Sequence, residues 1–234
     1  NLMRAGMKSQ AIEPGTAAVT VELGVGPTTV DLNWRGDVLN MAWMAQANPV
    51  FGPHCADADV LGRVLGLPSS DLVAPDAPAQ VVSSGVPLLF IGVRSRAAVD
   101  TVSLNRQALG ALVAALDIAE CPVYVFTLEA GDDDALTYSR MFAPAFGIEE
   151  DPATGGAGGP LFGYLAKYHP HVVAGPGPFV NRQGVGMGRP ATIYLAGTST
   201  ADGVSALRIG GRAVGVGEGR LYGTGGRLRR GRSE

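Results

Sequence analysis

Apolar and polar residues alternate with a period of two along many short segments of the chain. In "TTVDLNW" (28–34), for example, Val30, Leu32 and Trp34 share one side. Alternation among β-branched and aromatic residues predicts half-buried β-strands. Strands are predicted at 17–23, 28–34, 38–44, 79–85, 87–93, 123–129, 136–143 and 191–197, and within 204–221. Gly36, between the second and third of these, supplies the positive φ that a hairpin turn needs.

Three segments have apolar residues at helical spacing instead. They are "VLGRVLGL" (60–67), "LNRQALGALVAAL" (104–116) and "LFGYLAKY" (161–168). Because strands outnumber helices and do not alternate with them regularly, the pattern predicts an α+β fold with antiparallel sheet rather than a doubly wound fold. A proline-rich shift in composition near residues 68–78 is the best candidate boundary. The predicted parts are 1–76, 77–226 and a basic tail at 227–234.

Composition narrows the function classes. A net charge of -3 over 234 residues does not suit a nucleic-acid binder. No apolar stretch is long enough to cross a bilayer, so no membrane partner is predicted. Cys55 and Cys121 are too few for a disulfide framework or a thiolate metal site, which favours a reducing, cytoplasmic location. The 34 glycines and 16 prolines indicate many tight turns.

The segment "EEDPATGGAGGP" (149–160) is the strongest candidate for chemistry. Asp151 and Pro152 look like a helix entry, and the hydroxyl of Thr154 can cap the helix. Gly155, Gly156 and Ala157 then offer backbone N–H groups at a helix N-terminus, which carries about half a positive charge and suits a carboxylate or phosphate. Asp151 beside a bound anion can serve as an acid or base. The alternative is a flexible turn in which Asp151 only caps the helix.

Other polar residues give weaker indications. His169 and His171 lack a third ligand, so no metal site is predicted. Arg140 and Arg189 could hold an acidic substrate or could pair with structural carboxylates. The run Asp132 to Asp134 lacks the alternating spacing of a calcium loop and is typical of a solvated turn.

Four segments together resemble one known family. The stretch "RMFAPAFGIEEDPATGGAGGPLFGYL" (140–165) resembles the signature of the PhzF family, the phenazine-biosynthesis isomerases and their relatives. Segments similar to other family motifs follow the expected order: "VVSSGVPLLFIGV" (81–93), "NRQGVGMGRPATIYL" (181–195) and "GGRAVGVGEGRL" (210–221). The resemblance covers nearly the whole chain.

The resemblance implies a diaminopimelate epimerase-like fold. Two lobes of mostly antiparallel sheet each roll around a central helix, which lies near 154–168 in the second lobe. It also implies a cofactor-free isomerase of secondary metabolism or antibiotic biosynthesis, acting as a homodimer. The enzyme would move a proton within a small unsaturated acid. Asp151 would be the acid, and Gly155 and Gly156, with Thr154 and Ala157 beside them, would bind the substrate carboxylate.

Departures from the family pattern change what is expected. Family members usually carry Ser or another small polar residue at the position of Gly156, and the related epimerases and racemases carry Cys at the position of Thr154. The family's catalytic Glu and Gly-His-Pro motif have no match, and "NLMRAG" (1–6) resembles the end of the first central helix. We therefore expect an incomplete first lobe, with the main base supplied by a missing segment or a short partner chain. The alternative is an inactive binding or regulatory subunit.

Overall fold

The computed structural model describes residues 12–213, except residues 25, 132, 176, 201 and 202. Residues Pro14–Arg212 form one compact unit, to which the elements described below belong. The predictions for residues 1–6, for the end of the 204–221 segment, for Asp132 and for the 227–234 tail lie outside the described residues.

Twelve strands in this part of the chain form one mixed sheet. They are β1 Ala18–Leu23, β2 Gly26–Arg35, β3 Val38–Ala45, β4 Val50–Cys55, β5 Ala79–Ser83, β6 Pro87–Gly92, β7 Val123–Thr127, β8 Thr137–Ala143, β9 Ile148–Asp151, β10 Phe179–Gln183, β11 Ala191–Thr200 and β12 Gly203–Gly211. Their order is β1-β2-β3-β12-β11-β10-β8-β7-β6-β5-β4, with β9 on β8. The pairs β6–β7 and β8–β10 are parallel and the others antiparallel, so the sheet is mixed but mostly antiparallel, as the sequence predicted.

Four α-helices pack on this sheet. They are α1 Ala58–Leu65, α2 Arg96–Thr101, α3 Arg106–Ala115 and α4 Gly158–Tyr168. Each of the first three begins at a local side-chain cap: Asp57 accepts from Asp59 and Val60, Ser95 from Ala98, and Asn105 from Ala108. Such caps satisfy backbone donors that have no partner inside the helix.

Helix α4 lies at the centre of the inner core. It packs on β11 and β12 and also on β5 and β6, which lie further along the sheet, so the sheet curls around the helix. Every residue from Gly158 to Leu165 is buried, as expected for a helix that is apolar on all sides. Burying a large apolar side chain such as Phe162 stabilises the fold by about 1.5–3 kcal/mol.

The central strands are buried on both faces. Phe90 and Phe126 point inward to the α4 core, whereas Ile91 and Val125 face a second core shared with α1. This explains why β6 and β7 are continuous apolar runs rather than alternating ones.

One strand has no counterpart among the strands predicted from the sequence: residues 50–55 form the edge strand β4. Strand β4 pairs with β5, and Leu61 and Val64 of α1 share a core with Leu89 of β6, so the sheet and this core continue across residue 76. Finally, no helix in the part of the chain that the structure describes is both long and apolar enough to span a membrane.

Candidate active site

Asp151 lies at the end of a strand and not at a helix entry. It is the last residue of β9, where it pairs with Met141 of β8. Its side chain is half-buried. The carboxylate is therefore held by the sheet, and the turn that follows connects it to the glycine segment.

Thr154 does not cap α4 through its side chain, as the sequence had suggested. Its hydroxyl donates instead to Oδ2 of Asp151 over 2.6 Å. A short bond to a charged acceptor is among the stronger hydrogen bonds. Thr154 therefore orients the carboxylate, while Oδ1 of Asp151 accepts no hydrogen bond from the described residues.

Gln183 of β10 fixes both residues. Its Nε2 donates to the backbone oxygen of Asp151 over 2.7 Å and to Oγ1 of Thr154 over 2.9 Å. Its Oε1 accepts the backbone N–H of Thr154 over 3.2 Å. Gln183 is fully buried, so its amide position is strongly determined.

A buried polar network continues beneath Gln183. Tyr124 donates to Oε1 of Gln183 over 3.3 Å, and its hydroxyl also lies 2.9 Å from Oγ of Ser139 and accepts from Nδ2 of Asn181. Burial raises the pKa of Tyr124 to about 12, with a smaller contribution from the Asp151 carboxylate. Tyr124 therefore stays neutral and keeps its hydrogen bonds at physiological pH.

The N-terminus of α4 begins with a 3₁₀ turn at Gly155–Ala157 and has no local cap. The N–H of Gly159 donates to Oε1 of Gln46 over 2.6 Å, and the N–H of Ala157 donates to the oxygen of Thr154. The N–H groups of Gly155 and Gly156 bond to no described residue. These two amides are consequently available at the positive end of the helix.

The glycines differ in what surrounds them. A Cβ on Gly159 would overlap the Gln46 side chain, and one on Gly163 would overlap the ring of Pro49. A Cβ on Gly155 would lie 3.1 Å from Cδ1 of Ile209. A Cβ on Gly156 would meet nothing within 4 Å. Gly156 thus faces open space, whereas Ala157 is buried.

Two other candidates from the sequence, Arg140 and Asp133, form ion pairs within the fold. Arg140 forms a two-point pair with Glu150 and donates to the carbonyls of Val99, Asp100 and Val102. Arg140 therefore ties β8 to the end of α2. Asp133 forms an ion pair with Arg96 over 2.7 Å, and the hydrogen bond from Arg96 lowers the pKa of Asp133.

His169 lies away from Asp151, in a cleft of about 300 Å³ that Arg94 and Glu129 also line. Burial lowers the pKa of His169, and the neighbouring His171 adds to this effect. No group of three or more His, Cys, Asp or Glu among the described residues could hold a metal ion.

Sequence reasoning missed Gln183, Tyr124, Asn181 and Gln46. One signal was present, since Asn181 and Gln183 occupy alternate positions of β10 and therefore share one face of the sheet. Polar side chains at buried strand positions need hydrogen-bond partners and therefore indicate a network. No comparable signal marks Gln46, which lies 113 residues from its partner.

Comparisons with known proteins identify the family of the chain. The family model described as "Phenazine biosynthesis-like protein" (PhzC-PhzF) matches residues 4–219. An uncharacterized isomerase from Clostridium acetobutylicum is 32% identical over 207 residues, covering 85% of this chain and 66% of the relative. The trans-2,3-dihydro-3-hydroxyanthranilate isomerase of Pseudomonas aeruginosa is 33% identical over 179 residues, covering 76% and 58%.

A crystal structure of a PhzF family protein from Bacillus anthracis has the same general fold. Its TM-score is 0.74 at 20% identity, over 88% of this chain and 69% of the other. The chain thus spans about three fifths to two thirds of the lengths of these curated relatives. With the family model matching most of its length, the chain belongs to the phenazine biosynthesis-like PhzC-PhzF family.

Proposed function

We propose that this chain is part of a cofactor-independent isomerase that moves a proton within a small unsaturated carboxylic acid, in secondary metabolism such as antibiotic biosynthesis. One observation carries the proposal. The Asp151 carboxylate, oriented by Thr154, stands four residues before Gly155, where a helix N-terminus begins whose Gly155 and Gly156 amides have no partner among the described residues. In this proposal, a proton carrier lies beside a binding site for a carboxylate.

Each residue has a distinct proposed role. Gly155 and Gly156 donate their N–H groups to the substrate carboxylate, aided by the helix dipole. Asp151 carries a proton to or from a substrate carbon through its unbonded Oδ1. Thr154 orients the carboxylate and, like Ala157, lies next to the bound acid.

The remaining machinery comes from beyond these residues. A base removes a proton from one carbon of the substrate, and Asp151 delivers a proton to another carbon. We propose that a segment or short partner chain outside this sequence supplies that base. The same segment would complete a first lobe around the β1–β3 part of the sheet. Assembly as a homodimer and a cytoplasmic location remain part of the proposal.

Solvent exchange tests the proposal directly. The chain, alone and with the N-terminal segment of a relative, is incubated in deuterated buffer with trans-2,3-dihydro-3-hydroxyanthranilate and other dienyl acids. Mass spectrometry then measures deuterium gained by the acid. The Asp151→Asn variant should lower the exchange rate by about 100-fold or more, because acid–base groups typically contribute this much.

A matched control lies on the same strand. Glu149→Gln also removes a β9 carboxylate, but Glu149 is exposed and pairs with Arg106. It should leave the rate unchanged. If the lower exchange rate of Asp151→Asn is fully explained by a loss of unfolding free energy, Asp151 has a structural role and not a catalytic one.

The second candidate function is that of an inactive binding or regulatory subunit. The open space at Gly156, where family members usually carry Ser, favours it because a hydroxyl contact to the ligand is absent. Thermal stabilisation by the same acids without deuterium exchange, even after the N-terminal segment is added, would support this alternative.

A further inference from the structure

A second cleft lies at the opposite end of α4. Its volume is about 420 Å³, and Asn48, Phe51, Lys167, Ser199 and Thr200 line it. This volume falls within the usual range of about 300–1,000 Å³ for small-ligand sites. The α4 residues that line it are Gly163 and its C-terminal neighbours, so about 12 Å of helix separates them from Gly155.

Lys167 provides a fixed positive charge in this cleft. Its Nζ donates to Oε1 of Gln80 over 3.0 Å and lies 4.6 Å from the Phe51 ring centre and 4.9 Å from that of Tyr168. Gln80 is itself buried and is held by bonds to Gly52 and Tyr168. The ammonium group is thus oriented before any ligand arrives.

The charge of Lys167 is not neutralised by a carboxylate in the described part of the chain. None of the ion pairs formed there includes Lys167. Its contacts with Gln80 and two aromatic rings are to neutral groups. An anion in the cleft could pair with Lys167, which is exposed enough to meet it.

The walls of the cleft define the rest of the ligand. Phe51 is 37% exposed and offers a flat apolar surface, and Pro49 is fixed against Gly163 of α4. Asn48 and Ser199 add neutral polar groups at the rim. One positive charge beside an aromatic wall suits a monoanion with a flat apolar body.

We propose that this cleft is a second small-molecule site, which binds a monocarboxylate by pairing it with Lys167 and laying its apolar body on Phe51. The site is separate from Asp151 and does not depend on the isomerase proposal. Its ligand is therefore a regulator or second substrate rather than the acid that Gly155 and Gly156 hold.

An NMR titration with benzoate tests this proposal. Amide resonances are followed at Lys167 and Ser199 for the cleft and at Gly156 for the Asp151 site. Lys167 and Lys8 are the two lysines of the sequence, so a lysine side-chain signal can be assigned by its loss on substitution. We expect saturable shifts at Lys167 and Ser199, and no such shifts with neutral benzyl alcohol.

Three variants separate the outcomes. Lys167→Met keeps the apolar stem and should raise the dissociation constant for benzoate about tenfold or more, whereas Lys167→Arg should keep it within a few-fold. Asp151→Asn should not change binding at the cleft. Absence of saturable shifts at Lys167 and Ser199 up to tens of millimolar benzoate overturns the proposal, as does unchanged affinity in a folded Lys167→Met protein. Shifts confined to Gly156 would also overturn it while supporting the isomerase site.

Discussion

Replacing Gln183 with Leu tests whether the buried amide holds the candidate site together. The substitution nearly keeps the side-chain volume but removes the bonds to the Asp151 oxygen, the Thr154 N–H and the Thr154 hydroxyl. It leaves that backbone oxygen and that N–H without their partners. Each buried polar group left without a hydrogen-bond partner costs about 1–3 kcal/mol. Because Asp151 and Thr154 are only half-buried, we expect the two groups together to lower the unfolding free energy by about 2–3 kcal/mol.

Urea unfolding followed by circular dichroism measures this loss of unfolding free energy. Amide hydrogen exchange at Thr154 gives a second, local readout, since its N–H should lose protection in Gln183→Leu. Thr137→Val is the matched control. It removes one buried bond to Asn181 at the far end of the same network, which should cost about 1 kcal/mol without affecting the Thr154 amide.

A Gln183→Leu protein whose unfolding free energy is within roughly 0.5 kcal/mol of the parent value, the range of an ordinary surface change, would contradict this role of the buried amide. Equal hydrogen exchange at Thr154 in Gln183→Leu and Thr137→Val would contradict it too. Either result would mean that β9 and its turn hold Asp151 and Thr154 without help from β10.

Two further predictions concern α4 and His169, the residue that follows it. Gly163→Ala should lower the unfolding free energy by about 1–3 kcal/mol because the new methyl group overlaps Pro49. Gly156→Ala should leave the unfolding free energy nearly unchanged. Equal urea midpoints for the two variants would contradict the packing assigned to these glycines. His169 has a lowered pKa in the folded protein, so the unfolded chain binds its proton first as the pH falls. Stability should therefore be highest above about pH 6.5 and should decline as the pH falls through the folded pKa of His169. Urea midpoints measured across that range should show a smaller decline in His169→Gln than in the parent protein, and an equal decline would contradict this assignment.

Strand β2 and helix α3 were found from the period of their apolar residues, which lie on one face of each element. The elements that were missed are short or interrupted by unfavourable residues. Strand β4 contains Gly52 and Pro53, which are tolerated because β4 is a sheet edge where an absent N–H is not costly. Strand β9 has four residues and contains two glutamates, too few for a pattern to emerge.

The candidate site was predictable only where its parts are close in sequence. Asp151, Thr154 and the glycines are neighbours in the chain, and local chemistry was enough to group them. Gln183 is 32 residues from Asp151, and its position depends on β8 lying between β9 and β10. Strand order and register arise from packing of the whole sheet, which a single sequence does not specify.

The glycine segment has two roles, close packing against α4 and open amides at its N-terminus, which the sequence alone does not distinguish. Gly159 and Gly163 allow Gln46 and Pro49 to press against α4, and this contact uses the Gly159 N–H as well as the space. Packing on that side of the helix leaves the amides of Gly155 and Gly156 without partners among the described residues.

Two separate sets of contacts therefore define the distance between the open amides and Asp151. The position of α4 depends on how closely β12 and the residues after β3 approach it, whereas the position of Asp151 depends on β9 and Gln183. A larger residue at Gly163 would push α4 away while Asp151 stays in place, so it should weaken ligand binding at Gly156 without any direct contact to the ligand. A bulky residue at Gly156 itself would block the ligand and leave the helix where it is. If the open amides and Asp151 act together, these two changes should each reduce binding, but only the first should also reduce stability.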